Sequence, residues 1–332
     1  MPARAQVGLR PAADPAFDGP ARAAVQAAPD AASPLSVVRG LRPLELAAAA
    51  SGVSIAAMPD PADPADPARR APQSPGARAL AARNALAIGG GVTGVALYGF
   101  AKWWDEGFDR RADFEREGWF GRGTRYGGID KVGHAYSSYV GVRLLAPLLE
   151  ALGNEPGAAQ RLAFWSTLGT FAGIEVLDAY SRQYRASAED LVANAAGAAV
   201  GLAVLGRPQL DALLDWRLAY RRSGRGDWDP AGDYEGQAYL LVLKAEGIGR
   251  LRDHPVGRYL ELSVGYAARG FDVPAGQRRR ELQVGLSLNL SRVLADAAYG
   301  GQRGTTRTQR VADLAFELVQ IAPRAYARVG LD

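Results

Sequence analysis

Four stretches of the chain are apolar enough to be read as helices, and two later stretches alternate as strands do. Asn84–Ala101 is uncharged (NALAIGGGVTGVALYGFA). Val132–Leu149, Leu162–Leu177 and Leu191–Leu205 follow, each apolar over roughly 13–18 residues or broken by a single Arg or Glu. A bilayer-spanning helix needs about 20 predominantly apolar residues, so these are marginal spans or the buried helices of a bundle. Gly89–Gly91 and the GxxxG spacing of Gly197 and Gly201 suit helices that approach closely, which favours a membrane setting. The spacing therefore predicts an α-helical, membrane-associated domain over 84–222.

After Arg222 the text changes. Ser223–Gln237 reads as a linker from its Gly, Asp and Pro content. Tyr259–Ala267 then places Leu260, Leu262, Val264 and Tyr266 on one face, and Glu281–Ser291 does the same with Leu282, Val284, Leu286, Leu288 and Leu290. Alternation of this length predicts half-buried strands, here one antiparallel β-hairpin. Arg310–Ile321 has apolar positions at helical spacing and predicts a C-terminal amphipathic helix. The predicted fold is thus mainly α: a bundle of four or five Gly/Ala-rich helices, then a hairpin and a last helix, with the linker and hairpin region at 223–332.

Residues 1–80 are rich in Ala, Pro, Arg and Asp, and Pro59–Ala68 is low-complexity (PDPADPADPA), which predicts a disordered region. Inside it, residues 37–57 loosely resemble a signal peptide, with Glu45 against that reading.

Composition narrows the chemistry. The 332 residues carry a formal charge of +4 with both signs interspersed, so no nucleic-acid stripe is expected, while an anionic membrane surface fits. There is no cysteine, which excludes disulfides, a thiolate nucleophile and a cysteine zinc site. The chain has two histidines, His134 and His254.

One polar constellation stands among the apolar helices. Asp130 and His134 are four apart, with Lys131 between them, and Ser137 and Ser138 continue the face. Glu175 and Asp178 are three apart, and Asp190 and Asn194 four apart, with Gly197 and Gly201 beyond. Acids and a histidine in an apolar setting are costly unless paired, so the economical arrangement has them facing one another. Local roles compete with that reading. Ser187-Ala-Glu-Asp190 fits a capping box, and Asp130 fits a first-turn acid. One histidine among carboxylates could bind a hard divalent cation or serve general acid–base chemistry. No spacing matches a dedicated metal motif and no phosphate loop is present, so no cofactor is expected.

Gly118–Tyr139 (GWFGRGTRYGGIDKVGHAYSSY) resembles the YfiM-like family of predicted periplasmic lipoproteins, domain of unknown function 2279. The matching residues are Gly118–Gly121, Asp130-Lys131, Gly133-His134, Glu175 with Asp178, and Asp190-Leu191 with Asn194 and Gly197. Asp233-Tyr234, Gln237, Gly265-Tyr266 and Leu288–Leu290 extend the likeness, which covers about 84–295. A pattern-level likeness to VanZ-like membrane proteins rests on the same Asp-Lys, His and Asp-Leu-x-x-Asn positions. The resemblance implies a bacterial envelope location and no established reaction, and the chain has no cysteine for acylation. Three functions follow as expectations. The first is an envelope protein that binds or scaffolds an envelope component through the cluster. The alternative is a hydrolase or transferase on a lipid-linked substrate using His134 and the carboxylates. The third is an outer-membrane-associated module built on the hairpin. Membrane or envelope components are the expected partners, and self-association into a homo-oligomer is compatible with all three.

Overall fold

The computed structural model describes residues 75–109, 111–224, 228–271 and 277–332. The expected signal-like segment at 37–57 and most of the expected disordered region 1–80 lie outside these residues, and residues 75–80 already belong to a helix.

That helix, α1 (Pro75–Lys102), is uncharged from Asn84 to Ala101. It is long and apolar enough to cross a bilayer, and none of its most apolar window is buried. After a two-residue strand, β1 (Phe114–Glu115), three helices pack on one another: α2 (Ile129–Ala151), α3 (Pro156–Tyr180) and α4 (Ala188–Leu205). Gly128, at a left-handed φ of 85°, turns the chain into α2. Pro156 opens α3 at the position where a missing N–H costs nothing. The strand β2 (Ala186–Ser187) pairs in parallel with β1 and delivers Ser187 to cap α4. Val142, Phe164, Leu168 and Ala198 form one core among these helices, and Ala146, Leu149, Ala159 and Ala163 another. Small side chains let the helices touch. A Cβ on Gly197 would lie 2.6 Å from Ala135 Cα, so α2 and α4 are in backbone contact there. Half of α4's most apolar window is buried in this packing, which makes it a core helix rather than a free span.

The short helix α5 (Pro208–Leu213) leads into β3 (Leu214–Tyr220). Then come β4 (Gln237–Lys244), the single-turn α6 (Gly249–Arg252), β5 (Leu260–Arg269), β6 (Arg279–Leu288), α7 (Leu290–Ala298), α8 (Arg307–Leu318) and β7 (Arg324–Gly330). The five long strands form an antiparallel sheet in the order β3-β4-β5-β6-β7. Val319, between α8 and β7, makes a single parallel bridge to Leu218 on β3, the far edge. In a flat sheet β3 and β7 would stand about 19 Å apart. Five extended residues reach about 17 Å at most, so the sheet must curl.

This architecture overturns the expectation of a mainly α bundle followed by a lone hairpin. Glu281–Ser291 and Tyr259–Ala267 do pair antiparallel, with Leu262 opposite Leu286, but as the inner strands of a five-stranded sheet. β3 begins inside the stretch expected to be helical. β4 was missed because LLV is a continuous apolar run without alternation, and β7 because it carries two arginines in seven residues. The C-terminal helix is α8, but a strand follows it.

Alternation left open which face of the sheet is covered, and the covered face combines Leu240, Val242 and Ala267 with charged and amide side chains. The aliphatic face is the exposed one: Leu262 is 43% exposed, Leu286 57% and Leu241 54%. The buried face carries Asp215, Arg217, Lys244, Glu261, Gln283 and Ser287. Arg217 bridges Asp215 and, at 2.7 Å, Glu261; Lys244 Nζ lies 2.5 Å from Asp215. Among the described residues the aliphatic face is covered toward α2, by Tyr136 and Tyr139 against Trp216 and Tyr239 and by Phe120 against Tyr266.

Candidate functional site

The ends of α2, α3 and α4 converge with the segment before α2, and each supplies part of one polar cluster. From the first turn of α2 come Asp130, Lys131 and, one turn on, His134. Lys131 is only 2% exposed. Its ammonium lies 2.8 Å from Asp130 and 2.8 Å from Asp190, and it pairs with Glu117. Asp130 therefore serves Lys131 rather than orienting the His134 ring. From α3 comes Glu175, and Asp178 one turn further accepts a 2.6 Å hydrogen bond from Trp104 Nε1. From α4 come Asp190 and Asn194. Ser187 Oγ accepts from Asp190 N at 3.3 Å, so Ser187 caps α4, but the return bond of a capping box does not form: Ser187 N donates to Glu175 Oε2 at 3.1 Å, and the Asp190 carboxylate turns to Lys131.

His134 sits where the three helices meet. Its Nδ1 is 3.8 Å from Glu175 Oε1 and its Nε2 is 3.6 Å from Asp190 Oδ1. The Asn194 amide approaches Nδ1 at 3.4 Å, and Ser138 Oγ donates to Asn194 Oδ1 at 3.0 Å. Residues 41 and 56 positions apart from His134 thus reach one ring because α2, α3 and α4 share one end.

The electrostatics are unbalanced. Glu117, Asp130, Glu175, Asp178 and Asp190 surround a single ammonium. Burial pushes Glu175 up to about 8, with Asp190 adding to the effect. Burial also pushes Asp190 up to about 7, against the pull of Lys131, and Asp178 up to about 6. Burial and the nearby Lys131 charge lower His134 to about 4, so the ring is neutral near pH 7. Burial opposes ionisation of Glu117 too, but the bond to Lys131 outweighs it and holds Glu117 below its ordinary value. Lys131 and Asp190 respond in opposite senses although they touch. Burial opposes the ammonium, yet Asp130 and Asp190 together hold it charged. Each carboxylate has only a share of that one charge, so the deficit falls on the acids. Two buried oxygens, Glu175 Oε1 and Asp190 Oδ1, lack a hydrogen bond. Asp190 Oδ1 nevertheless has the Lys131 ammonium at 2.8 Å as an ion-pair partner.

The cluster forms one wall of a cavity of about 610 Å³. Asp130, His134 and Asp190 face it, as do Tyr126, Tyr234 and Phe171, and Gly94 and Val95 of α1 close one side. All seven candidate residues lie in or beside this assembly. Sequence reasoning missed Glu117 and Trp104. Both come from irregular segments with no periodicity, and only their place before α2 and after α1 offered any signal.

Residues 116–205 match the family model described as predicted periplasmic lipoprotein (DUF2279). The match takes in Glu117, α2, α3 and α4, and hence the whole cluster except Trp104. It is narrower than the likeness over 84–295: α1 and the sheet lie outside it. The description agrees with a location in the cell envelope and states no reaction. No curated protein and no solved structure matches the chain.

Proposed function

We propose that this chain is a membrane-associated envelope protein that binds an amphiphilic envelope component, with the headgroup on the His134 cluster and the apolar portion along α1. The observation that carries this reading is the cavity. One wall is acidic and hydrogen-bonding, another is aromatic, and a third belongs to a helix whose outer surface is apolar and unburied. Such a mixed lining suits a ligand with one polar and one apolar end. The surplus of carboxylates favours a headgroup bearing an ammonium, as in phosphatidylethanolamine. The aliphatic side chains exposed along one face of the sheet, Leu241, Leu262, Val264, Val284 and Leu286, support contact with a bilayer. The proximity of His134 Nε2 to Asp190 favours a second reading, in which the neutral ring acts as a general base on a lipid-linked ester.

Titration with short-chain phosphatidylethanolamine below its micelle concentration, read by the change in tryptophan fluorescence that Trp103 on the cavity wall contributes, tests the first reading. Saturable binding that is lost in Ser137→Phe, which fills the cavity, is expected. Binding that is absent, or unchanged by filling, refutes it. Release of fatty acid or headgroup during the same titration would replace it with the hydrolytic reading.

A further inference from the structure

We propose that His134, Glu175 and Asp190 hold a divalent cation of the Zn²⁺ or Mn²⁺ class at the polar wall of the cavity. The nitrogen and oxygen atoms these three residues offer lie within 4.8 Å of one another. A tetrahedral cation with bonds of about 2.0–2.2 Å holds ligand pairs about 3.3–3.6 Å apart, so the set closes when its side chains move inward by about an ångström. Glu175 and Asp190 are each 6% exposed, and each has one carboxylate oxygen without a hydrogen bond. Buried carboxylate oxygens are ordinarily satisfied. Here Glu175 Oε1 has no hydrogen-bond donor and Asp190 Oδ1 has only the Lys131 ion pair, and both acids flank the same imidazole.

A second acidic set, Glu117, Asp130 and Asp190, is equally tight. It already holds a built-in cation, because the Lys131 ammonium contacts all three. Among the described residues no lysine or arginine pairs with Glu175. The cation therefore belongs on the His134 side, with Asp190 shared between it and Lys131.

The surroundings are those of a supported ligand. Asn194 approaches Nδ1, which leaves Nε2, the nitrogen beside Asp190, to bind metal, and Glu175 Oε1, now nearest Nδ1 at 3.8 Å, turns toward that side to join it. Nε2 ligation requires a proton on Nδ1. Turning over the Asn194 amide supplies the acceptor, and the Ser138 hydroxyl can then accept instead of donate. Glu175 is fixed through its other oxygen by Ser187 N. Such outer partners orient metal-binding histidines and carboxylates elsewhere. One imidazole with two carboxylates suits Zn²⁺ or Mn²⁺ better than Ca²⁺, which prefers six to eight oxygens. His134 and Asp190 face the cavity, so the remaining coordination positions open toward whatever it holds.

The full-length protein in detergent, stripped with chelator and dialysed, would be titrated calorimetrically with Zn²⁺, Mn²⁺, Mg²⁺ and Ca²⁺ in turn. Uptake of one equivalent of Zn²⁺ or Mn²⁺ is expected, with Mg²⁺ and Ca²⁺ at least about tenfold weaker. His134→Ala and the isosteric Glu175→Gln should each weaken uptake at least about tenfold, while His254→Ala leaves it unchanged. Circular dichroism of the stripped variants reports whether they fold. If His134→Ala does not, Co²⁺ absorption of the wild type decides whether an imidazole is coordinated. No stoichiometric uptake by folded protein, a Co²⁺ spectrum with oxygen ligands alone, or equal uptake by Glu175→Gln overturns the proposal. Failure of the phospholipid titration would leave this result standing, since the metal alone is the probe.

Discussion

Gly197→Ala adds one methyl group at the point where α4 crosses α2. The new Cβ would overlap the Ala135 carbonyl group and lie 2.6 Å from Ala135 Cα, where about 3.4 Å is ordinary contact. The obstructing atoms are backbone, so no side-chain rotation can relieve the overlap, and the helices must part by well over an ångström. The next turn is tight as well, because a Cβ on Gly201 would be 3.1 Å from Tyr139 O. Overpacking of this kind costs about 1–3 kcal/mol, and the rigidity of the obstruction places it at the upper end. Alanine recovers up to about 1 kcal/mol of helix propensity. The net loss is about 2 kcal/mol, or roughly 4–8 °C in melting temperature for a domain of this size. Gly173→Ala on α3 is the matched control. Nothing lies within 4 Å of the added Cβ, so the same propensity gain stands unopposed and should stabilise by about 0.5–1 kcal/mol. Thermal unfolding followed by circular dichroism, on both variants in one detergent, reads the opposite signs. If Gly197→Ala unfolds at the wild-type temperature, or Gly173→Ala loses as much as it does, the backbone contact between α2 and α4 is not what joins them.

Asp178 supplies a pH dependence. Burial raises its carboxyl from the ordinary 3.8 to about 6. Between those values the folded chain holds a proton that the unfolded chain has released, so stability falls as pH rises, by no more than about 3 kcal/mol, and this dependence ends above pH 6. Asp178→Asn keeps a carbonyl acceptor for Trp104 and should flatten that part of a urea-stability profile measured between pH 4 and 6; an unchanged slope contradicts the assignment. On the sheet, Leu262→Glu with Leu286→Glu puts two charges on the exposed aliphatic face. Flotation with liposomes should drop severalfold while the melting temperature stays within about 1 °C, because surface substitutions cost little; undiminished flotation would remove the sheet from the membrane contact.

Much of the helical half was legible because its signal is local. Long apolar runs ended by Gly, Pro or a capping serine predict helices wherever they fold, and α2, α3 and α4 cover the expected segments with only their ends displaced. The cluster was legible for a related reason. His134, Glu175 and Asp190 are ionisable groups on otherwise apolar helices, and burying any one alone is costly, so their meeting follows from economy before any coordinates. What each would touch did not follow. That Lys131 serves Asp130, Asp190 and Glu117 together, leaving Glu175 without a counter-charge, depends on how three helix ends are set beside an irregular segment. The sheet was least legible. Alternation in Tyr259–Ala267 and Glu281–Ser291 specifies two faces but not which one the protein covers. The sequence also could not show that Leu218 on β3 would meet Val319, some hundred residues later, and so curl the sheet over its charged residues. Local periodicity determined the helices and the polarity of each face. The tertiary structure alone decided which face turned inward, because that choice depends on what packs against it.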